Sequence, residues 1–168
     1  MIKGRELIWE YNQTRPTEVL RRYEILKEFL GECYEDTLIE PTFRCDEGYN
    51  TFIGKNFYAN YGLTILDYDK VIIGDNVKFG PNVTLSTATH DLDYRIRNSD
   101  GDGDITGAPI KIGNDVWLGA SVTVLPGVTI GNHAVIGAGS VVNKDIPDDC
   151  VAVGVPARVI KKLDFSDK

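Results

Sequence analysis

Aliphatic residues recur at every sixth position over most of the chain. The longest uninterrupted series runs from residue 112 to residue 142 and comprises Ile112, Leu118, Val124, Ile130, Ile136 and Val142. Two shorter series precede it and are offset from one another by a small slip: Ile53, Ala59 and Ile65, then Ile73, Phe79 and Leu85. A period of six that is sustained over so many positions indicates a repeat architecture.

A second set of small or aliphatic residues follows the longest series four positions later: Val116, Val122, Val128, Ala134, Ser140 and Ile146. Glycine, asparagine and proline between them form turns, and glycine and asparagine tolerate the positive φ that tight corners need. Inward positions four and then two residues apart predict short strands separated by corners. Three hexads close a triangular coil of ~18 residues, and coils stack at ~4.8 Å. The pattern therefore predicts a mainly β fold, a parallel β-helix of the hexapeptide type.

The N-terminal part of the chain predicts a helical cap, which a solenoid needs at its ends. Pro16 suits the first position of a helix, and Gly31 suits the position just past its end. The predicted buried face carries Val19, Leu20, Tyr23, Leu26, Phe29 and Leu30, and the opposite face carries Arg21, Arg22, Lys27 and Glu28. Residues 1–13 are compatible with a short helix. We expect a helical cap and lead-in over 1–48, a β-helix over 49–163 with a protruding loop at 91–109, and a tail over 164–168.

The sixth position of each hexad points out of the coil. His90 takes this position after Leu85 and Thr89, immediately before the polar loop that interrupts the repeat, and Trp117 and Tyr58 take it elsewhere. His90 is therefore predicted to stand on the outer wall. An exposed tryptophan requires an explanation, so we expect Trp117 either to pack against a neighbouring subunit or to wall a ligand site.

Composition narrows the classes of function. A net charge of −7 on 168 residues argues against nucleic-acid binding through bulk charge. The three cysteines, Cys33, Cys45 and Cys150, are widely spaced and are typical of reduced thiols in a cytoplasmic protein. The N-terminus lacks the apolar core of a signal peptide, and no apolar run approaches the ~20 residues of a membrane span.

The sequence does not favour a metal site. It contains only two histidines, which argues against a three-histidine site, and His133 lies in a Gly-Asn-His corner that predicts an exposed turn residue. Aspartates alternate between Asn98 and Asp104 as in a calcium loop. The twelfth position counted from Asp100 is Lys111, however, where that loop requires glutamate. We expect a flexible acidic loop instead.

Positive charge is concentrated near the C-terminus, where Arg158, Lys161 and Lys162 lie close together. This cluster is either a solvated terminal patch or a contact for phosphate groups, for which arginine is the better bidentate partner. Charge alone does not decide between the two.

Six strings of residues are similar to a known family. They are Phe43-Arg-Cys-Asp-Glu-Gly-Tyr-Asn50, Asn56-Phe-Tyr-Ala-Asn60, Thr87-Ala-Thr-His90, Ile112-Gly-Asn-Asp-Val-Trp-Leu-Gly119, Pro126-Gly-Val-Thr-Ile-Gly131 and Gly154-Val-Pro-Ala-Arg158. With them the chain, from about residue 11 to residue 163, resembles the maltose/galactoside O-acetyltransferases, which are hexapeptide-repeat acyltransferases. The order of the threonine-histidine turn, the Val-Trp-Leu-Gly string and the Gly-Val-Pro-Ala-Arg ending carries the specificity of this resemblance.

The resemblance implies a left-handed β-helix, a homotrimer with intersubunit active sites, and acetyl-CoA as co-substrate. It implies that His90 is the catalytic base and that Asp46, Asn60 and Asp67 line the acceptor-sugar pocket, to which we also assign the outward-facing Trp117. It implies further that the acetyl-CoA groove is bordered by Gly119, Ala120, Ala138, Asn143 and Lys144. Arg158 and Lys161 match basic residues that meet the phosphates of CoA.

The chain departs from the family near the acceptor. Members usually carry an additional helical segment before the match to Tyr11, which this sequence lacks. The loop after His90 is longer and richer in aspartate, and Glu47 stands where many members have an aromatic residue. These differences leave acetyl transfer intact and leave the identity of the acceptor open.

The sequence thus predicts acetyl transfer from acetyl-CoA to a hydroxyl group. His90 takes the proton, the acceptor oxygen attacks the thioester directly, and backbone N–H groups near Gly119 stabilise the oxyanion. No cysteine or serine stands beside His90 as an obvious nucleophile, so no covalent intermediate is expected. Two alternatives stay open: the same chemistry on a nucleotide-sugar, a polysaccharide precursor or an antibiotic hydroxyl, and a non-catalytic β-helix that serves as an assembly module.

Overall fold

A computed structural model describes residues 2–98 and 105–166, and residues 99–104, which carry most of the acidic loop, lie outside the described residues. The helices are α1 (Ile2–Gln13), α2 (Val19–Phe29) and α3 (Tyr94–Arg97). The strands are β1 (Leu38–Ile39), β2 (Arg44–Cys45), β3 (Thr51–Ile53), β4 (Tyr58–Ala59), β5 (Thr64–Leu66), β6 (Val71–Ile73), β7 (Lys78–Phe79), β8 (Thr84–Ser86), β9 (Ala88–His90), β10 (Ile105–Gly107), β11 (Ile110–Ile112), β12 (Trp117–Leu118), β13 (Thr123–Val124), β14 (Thr129–Ile130), β15 (Val135–Ile136), β16 (Val141–Val142), β17 (Cys150–Gly154) and β18 (Ala157–Lys162).

The strands wind around three sheets. Sheet A contains β3, β6, β11 and β14; sheet B contains β1, β4, β7, β12, β15, β17 and β18; sheet C contains β2, β5, β8, β13 and β16. Strands within a sheet pair in parallel, except that β18 returns antiparallel to β17. The chain passes through the sheets in the order A, B, C, and each circuit is one coil. About five coils form the predicted mainly β, left-handed parallel β-helix, and this fold class is confirmed.

Both predicted inward registers are confirmed. The series from Ile112 to Val142 is at most 3% exposed, and the second register from Val116 to Ile146 is at most 5% exposed. The earlier series are also buried, and the rings of Phe57 and Phe79 stack edge to face at 5.1 Å inside the coil. One continuous apolar core therefore fills the prism.

The coils of the N-terminal half are longer than predicted. Ile53 pairs with Ile73, twenty residues later, whereas Leu118 pairs with Ile136, eighteen residues later. The six-residue spacing holds from Ile53 to Ile65, so the extra residues lie at the corner where sheet C passes to sheet A. This enlarged corner departs from the regular prism.

Asparagine, aspartate and His133 form the corners between sheets A and B. Asn56, Asn76, Asp115, His133 and Asp149 adopt positive φ between 54° and 58°. Their side chains form a ladder, with hydrogen bonds of 3.0 Å from Asn56 to Asn76 and from Asn76 to Asp115, and with His133 Nδ1 lying 2.7 Å from Asp149 Oδ1. His133 is thus the exposed turn residue that the sequence predicts.

The helical cap forms, but its buried face differs from the prediction. Helix α2 begins at Val19, and it buries Arg22, Ile25, Leu26 and Phe29. Val19 and Leu20 are 58% and 68% exposed. Leu26, Phe29 and Leu30 are buried as predicted, whereas Val19 and Leu20 are not, because α1 and the first coil together decide which side of α2 is covered.

Arg22, predicted on the outer face, is buried because it finds polar partners there. Its Nε donates a 2.9 Å hydrogen bond to Thr14 Oγ1, and its guanidinium lies 3.7 Å from Glu40. The predicted lead-in already contributes to the solenoid, since β1 pairs with β4 and β2 pairs with β5. The coil therefore starts ahead of residue 49.

Candidate active site

His90 lies on a two-stranded antiparallel ribbon that leaves the coil. Strand β9 pairs with β10, and His90 stands opposite Ile105, Thr89 opposite Thr106, and Ala88 opposite Gly107. The side chain of His90 is exposed. Beyond the ribbon, Asp93 caps the short helix α3, and Arg97 Nη1 donates a 2.8 Å hydrogen bond to the carbonyl of Asp91. The strand pairing and the capped helix fix the backbone on both sides of His90.

His90 is exposed as predicted, but for a different reason. The register placed Thr89 inside the coil and His90 outside it in the next position. In the structure Thr87 is fully buried and Thr89 is exposed, because the chain leaves the coil at Ala88. His90 therefore belongs to the ribbon, not to a sixth position on the wall.

Two corners of the coil carry most of the predicted site residues. The C–A corner, where sheet C passes to sheet A, comprises 46–50, 66–70, the ribbon segment 87–108, 125–128 and 143–145. The B–C corner, where sheet B passes to sheet C, comprises 60–62, 80–82, 119–121 and 137–139. The two corners lie at opposite ends of the strands of sheet C.

The C–A corner brings together Asp46, Asp67 and His90 on successive coils. Asp46 is exposed and borders a cavity of about 170 Å³ that Lys3, Leu7 and Tyr49 also line. Partial desolvation raises the pKa of Asp46, and the negative charges of Asp67 and Glu47 raise it further, against the lowering effect of Arg5. The predicted acceptor residue Asp46 thus lies in an acidic recess beside the cap.

Asp67 is fully buried, unlike Asp46. Its Oδ1 accepts hydrogen bonds from the backbone N–H of Glu47 at 2.9 Å and from Cys45 Sγ at 3.3 Å, and its Oδ2 accepts one from Thr51 Oγ1 at 3.0 Å. Burial and the neighbouring carboxylate raise the pKa of the Cys45 thiol well above its usual range, so Cys45 acts as a neutral donor. Asp67 therefore organises the corner, and its carboxylate does not reach the protein surface.

The B–C corner brings together Asn60, Gly119, Ala120 and Ala138. Asn60 Oδ1 accepts a 2.7 Å hydrogen bond from the backbone of Tyr61. The small residues stack closely, since a Cβ added to Gly119 would come within 2.6 Å of the Ala138 nitrogen. This column presents backbone, without bulky side chains, along the edge of the prism.

The basic residues of the C-terminal strand lie over the last coils. Arg158 pairs in register with Val153 and Lys161 with Val151, and Arg158 Nη1 donates to Asn143 Oδ1 at 3.4 Å and to the carbonyl of Ala157 at 2.7 Å. Lys144 follows Asn143 and is exposed. The predicted cations of the CoA site therefore gather at one end of the solenoid, at the level of Asn143.

Trp117 is 56% exposed on sheet B, between Lys78 and Val135, and its predicted outward orientation is confirmed. Sheet B faces away from the C–A corner that carries His90. One protomer therefore does not bring Trp117 and His90 into one pocket.

Sequence reasoning missed the residues that shape the enlarged C–A corner. Asn50 Nδ2 donates to the carbonyls of Asp67 and Tyr68 at 2.9 and 3.2 Å, and Thr87 Oγ1 accepts a 2.8 Å hydrogen bond from the backbone of Asp69. Tyr68 is 50% exposed between these anchors. The slip from Ile65 to Ile73 was the available signal, because two extra residues at one corner must bulge from the coil.

Two further observations on the described residues concern metal ligands and membrane-spanning helices. Across 2–98 and 105–166, no group of three or more histidine, cysteine, aspartate and glutamate side chains is arranged to hold a metal ion. Within the same ranges, every helix is too short or too polar to cross a membrane.

Comparisons with known proteins match both halves of the chain. Residues 109–144 match the family described as bacterial transferase hexapeptide (six repeats), and residues 2–34 match the maltose acetyltransferase hexapeptide capping motif. The capping motif extends the family likeness to residue 2, whereas the sequence strings place the start of the resemblance at about Tyr11. Helices α1 and α2 are the elements that it covers.

Individual relatives are similar over nearly the whole chain. The galactoside O-acetyltransferase of Escherichia coli (strain K12) is 46% identical over 167 residues, covering 99% of this chain and 81% of the relative. A maltose O-acetyltransferase from Clostridium difficile 630 has a TM-score of 0.93 at 46% identity, covering 97% of this chain and 86% of the other. A galactoside acetyltransferase solved in complex with coenzyme A has a TM-score of 0.92 at 46% identity, covering 97% and 80%.

Proposed function

The chain belongs to the maltose and galactoside O-acetyltransferases of the hexapeptide-repeat acyltransferase family, and on this premise we propose that it transfers the acetyl group of acetyl-CoA to a hydroxyl of a sugar or glycoside with His90 as general base. The observation that carries the proposal is the exposed His90, held on a ribbon at the point where the repeat is interrupted. An imidazole exchanges protons near neutral pH, which suits it to this role.

The reaction proceeds by direct transfer. His90 takes the proton of the acceptor hydroxyl as the oxygen attacks the thioester carbonyl, so that a carbon–oxygen bond forms. The carbon–sulfur bond then breaks, and the proton passes from His90 to the departing thiolate. The products are the acetyl ester and the free thiol of CoA. We assign the stabilisation of the oxyanion of the tetrahedral intermediate to backbone N–H groups near Gly119.

Acetyl-CoA binds along the B–C corner toward the C-terminal strand. Gly119, Ala120 and Ala138 carry no large side chain, and the backbone atoms of successive coils are nearly in contact there. A slender chain such as pantetheine therefore has room to lie along this column. Arg158 and Lys161 on the C-terminal strand supply positive charge for the phosphates in a chain whose net charge is −7, and Lys144 adds to it from the C–A corner. The relative solved in complex with coenzyme A supports CoA as the ligand.

The acceptor binds at the C–A corner, beside His90. Asp46 offers a carboxylate that hydrogen-bonds sugar hydroxyls, and Asn60 at the B–C corner of a neighbouring copy offers an amide. Glu47 lines the same recess as Asp46 and adds a second carboxylate to it. The names of the relatives, galactoside and maltose acetyltransferases, support a neutral sugar as acceptor.

The active site is shared between subunits of a homotrimer. His90 leaves the coil at the C–A corner, whereas Trp117 and the small-residue column lie on other faces of the same prism. A neighbouring copy is needed to place its B–C corner and Trp117 beside His90. Exposed apolar side chains on sheet B, among them Trp117, Val159 and Ile160, support burial of this face.

An acceptor panel tests the proposed function. Release of CoA thiol is followed with acetyl-CoA and a set of acceptors that contains galactosides, maltose, glucose, a nucleotide-sugar and an antibiotic with a free hydroxyl. We expect saturable turnover with a neutral sugar. Turnover with the nucleotide-sugar or the antibiotic alone would establish the alternative acceptor. Failure to bind acetyl-CoA in calorimetry would favour a non-catalytic assembly module, and sedimentation of the protein as a monomer would contradict the shared site.

A further inference from the structure

The enlarged C–A corner turns the aromatic ring of Tyr68 outward, beside the ribbon of β9 and β10. Asp67 points into the protein and is fully buried, whereas the next residue, Tyr68, is 50% exposed. The outward direction of Tyr68 follows from the two extra residues between Ile65 and Ile73, which bend the chain out of the coil. Of these two neighbouring side chains, the phenol of Tyr68 therefore reaches solvent and the carboxylate of Asp67 does not.

The backbone around Tyr68 is held on both sides. Asn50 Nδ2 donates to the carbonyls of Asp67 and Tyr68 at 2.9 and 3.2 Å. Thr87 Oγ1 accepts from the Asp69 N–H at 2.8 Å and donates to the carbonyl of Leu66 at 2.8 Å. Buried Asp67 anchors the same stretch from below. A half-exposed ring on so constrained a backbone loses little conformational freedom when it binds a ligand.

The ring of Tyr68 lies against the strand that pairs with β9. A Cβ added to Gly107 would come within 2.8 Å of Tyr68 Cδ1, so the glycine permits the ring to approach the ribbon. Gly107 stands opposite Ala88, two residues before His90. The exposed ring, the ribbon and His90 therefore border the same side of the C–A corner.

We propose that Tyr68 is an acceptor-binding residue, whose ring stacks on the apolar face of the sugar and holds its hydroxyl toward His90. This inference rests on the proposed acetyl transfer to a sugar and names a residue of its acceptor site. A tyrosine joins an apolar face to a hydroxyl that both donates and accepts hydrogen bonds, which matches a sugar ring with its alternating C–H and O–H groups. Asp46, one coil below, supplies a charged partner for other hydroxyls of the same ring.

The test compares Tyr68→Ala and Tyr68→Phe in steady-state kinetics with p-nitrophenyl β-galactoside and with maltose. For Tyr68→Ala we expect the acceptor KM to rise about tenfold or more, because a ring-sized apolar contact is lost. The KM for acetyl-CoA should change less than about twofold, since the phosphate site lies elsewhere. Tyr68→Phe keeps the ring and should stay within about threefold of the wild type.

Tyr34→Ala is the matched control. Tyr34 lies beside Lys55, at the corner between sheets A and B, and its hydroxyl donates a 2.6 Å hydrogen bond to Glu32 on the protein surface. Its removal should leave both KM values unchanged. Thermal denaturation of all variants identifies any loss of folding.

Gly107→Ala provides a second variant that keeps the Tyr68 ring and displaces it. We expect a severalfold higher acceptor KM in the wild-type background and little additional effect in Tyr68→Ala. If Gly107→Ala raised the acceptor KM equally in the wild type and in Tyr68→Ala, the effect would come from the ribbon and not from the Tyr68 ring. That result would overturn the inference. An acceptor KM within twofold of the wild type for Tyr68→Ala would also overturn it, whereas absence of acetyl transfer by the wild type to every acceptor would contradict the proposed function itself.

Discussion

The hydroxyl of Thr51 donates a 3.0 Å hydrogen bond to Oδ2 of Asp67, and both residues are fully buried. Thr51 lies at the start of β3, and Asp67 lies one circuit of the coil later. Their bond, together with those from Cys45 and the Glu47 backbone to Oδ1, joins two successive coils at the C–A corner. Buried hydrogen bonds therefore hold the backbone of this corner.

Replacement of Asp67 should destabilise the protein. In Asp67→Ala the Thr51 hydroxyl and the Glu47 N–H lose their acceptor inside the protein, and we expect a loss of about 2–4 kcal/mol in the free energy of unfolding. Asp69→Ala is the control, because Asp69 accepts its hydrogen bond from the backbone of Lys70 in an exposed position. Denaturant unfolding measures both. Equal stabilities for the two variants would show that the buried bonds contribute nothing.

Removal of the His90 imidazole should abolish most of the turnover. A general base typically contributes ~10²–10⁴-fold, so His90→Ala should lower kcat by that order while acetyl-CoA still binds in calorimetry. The control is His133→Asn, which removes the chain's other histidine from an exposed corner. A His90→Ala variant with wild-type turnover would refute the assignment of the base.

Arg158→Ala should weaken acetyl-CoA without slowing the chemical step. A charge-assisted hydrogen bond to phosphate is lost, and the KM for acetyl-CoA should rise roughly tenfold or more while kcat changes little. Arg158→Lys should be intermediate, since lysine keeps the charge and loses the bidentate geometry. Lys162→Ala, on the same strand, serves as the control. If Lys162→Ala raised this KM as much, the effect would be one of general charge.

His133 should make stability depend on pH. Its hydrogen bond to Asp149 raises the pKa of the imidazole above 6.5, and the charges of Asp149, Asp115 and Asp148 act in the same direction. Because the folded-state pKa is the higher one, the stabilisation is fully present below pH 6.5. It is lost as the pH rises through the raised value.

The comparison is with His133→Asn, which retains the positive φ of the corner because asparagine tolerates it well. The difference in melting temperature between the wild type and this variant should be largest in mildly acidic buffer and should shrink above neutrality. A difference that stays constant across this range would show that the ion pair is not formed in solution.

The repeat itself was predictable from the sequence. A six-residue period places side chains inside or outside a prism by geometry alone, so the buried positions from Ile112 to Val142 followed without reference to any distant contact. The left-handed corners at Asn56 and Asn76 were predictable for the same reason, since asparagine tolerates positive φ locally. The exposure of Trp117 also followed from the register.

Contacts between segments far apart in the chain were not predictable in this way. The face that α2 buries depends on where α1 and the first coil lie. Arg22 is buried in that face because Thr14 accepts its hydrogen bond and Glu40 lies beside its guanidinium. Likewise, the register breaks at Ala88 because β9 finds a partner in β10, so the position of His90 depends on a strand that follows the acidic loop.

The period by itself determined a parallel β-helix, the direction of most side chains and the place where the repeat is interrupted, whereas the left-handedness of the coil followed from the family resemblance. Only the tertiary structure decided that Asp67 is buried and Tyr68 exposed, because the hydrogen bonds of Thr51, Asn50 and Thr87 come from neighbouring coils and fix a corner that the repeat does not describe. A local period specifies positions within one coil, whereas the shape of an irregular corner is set by the coils stacked above and below it.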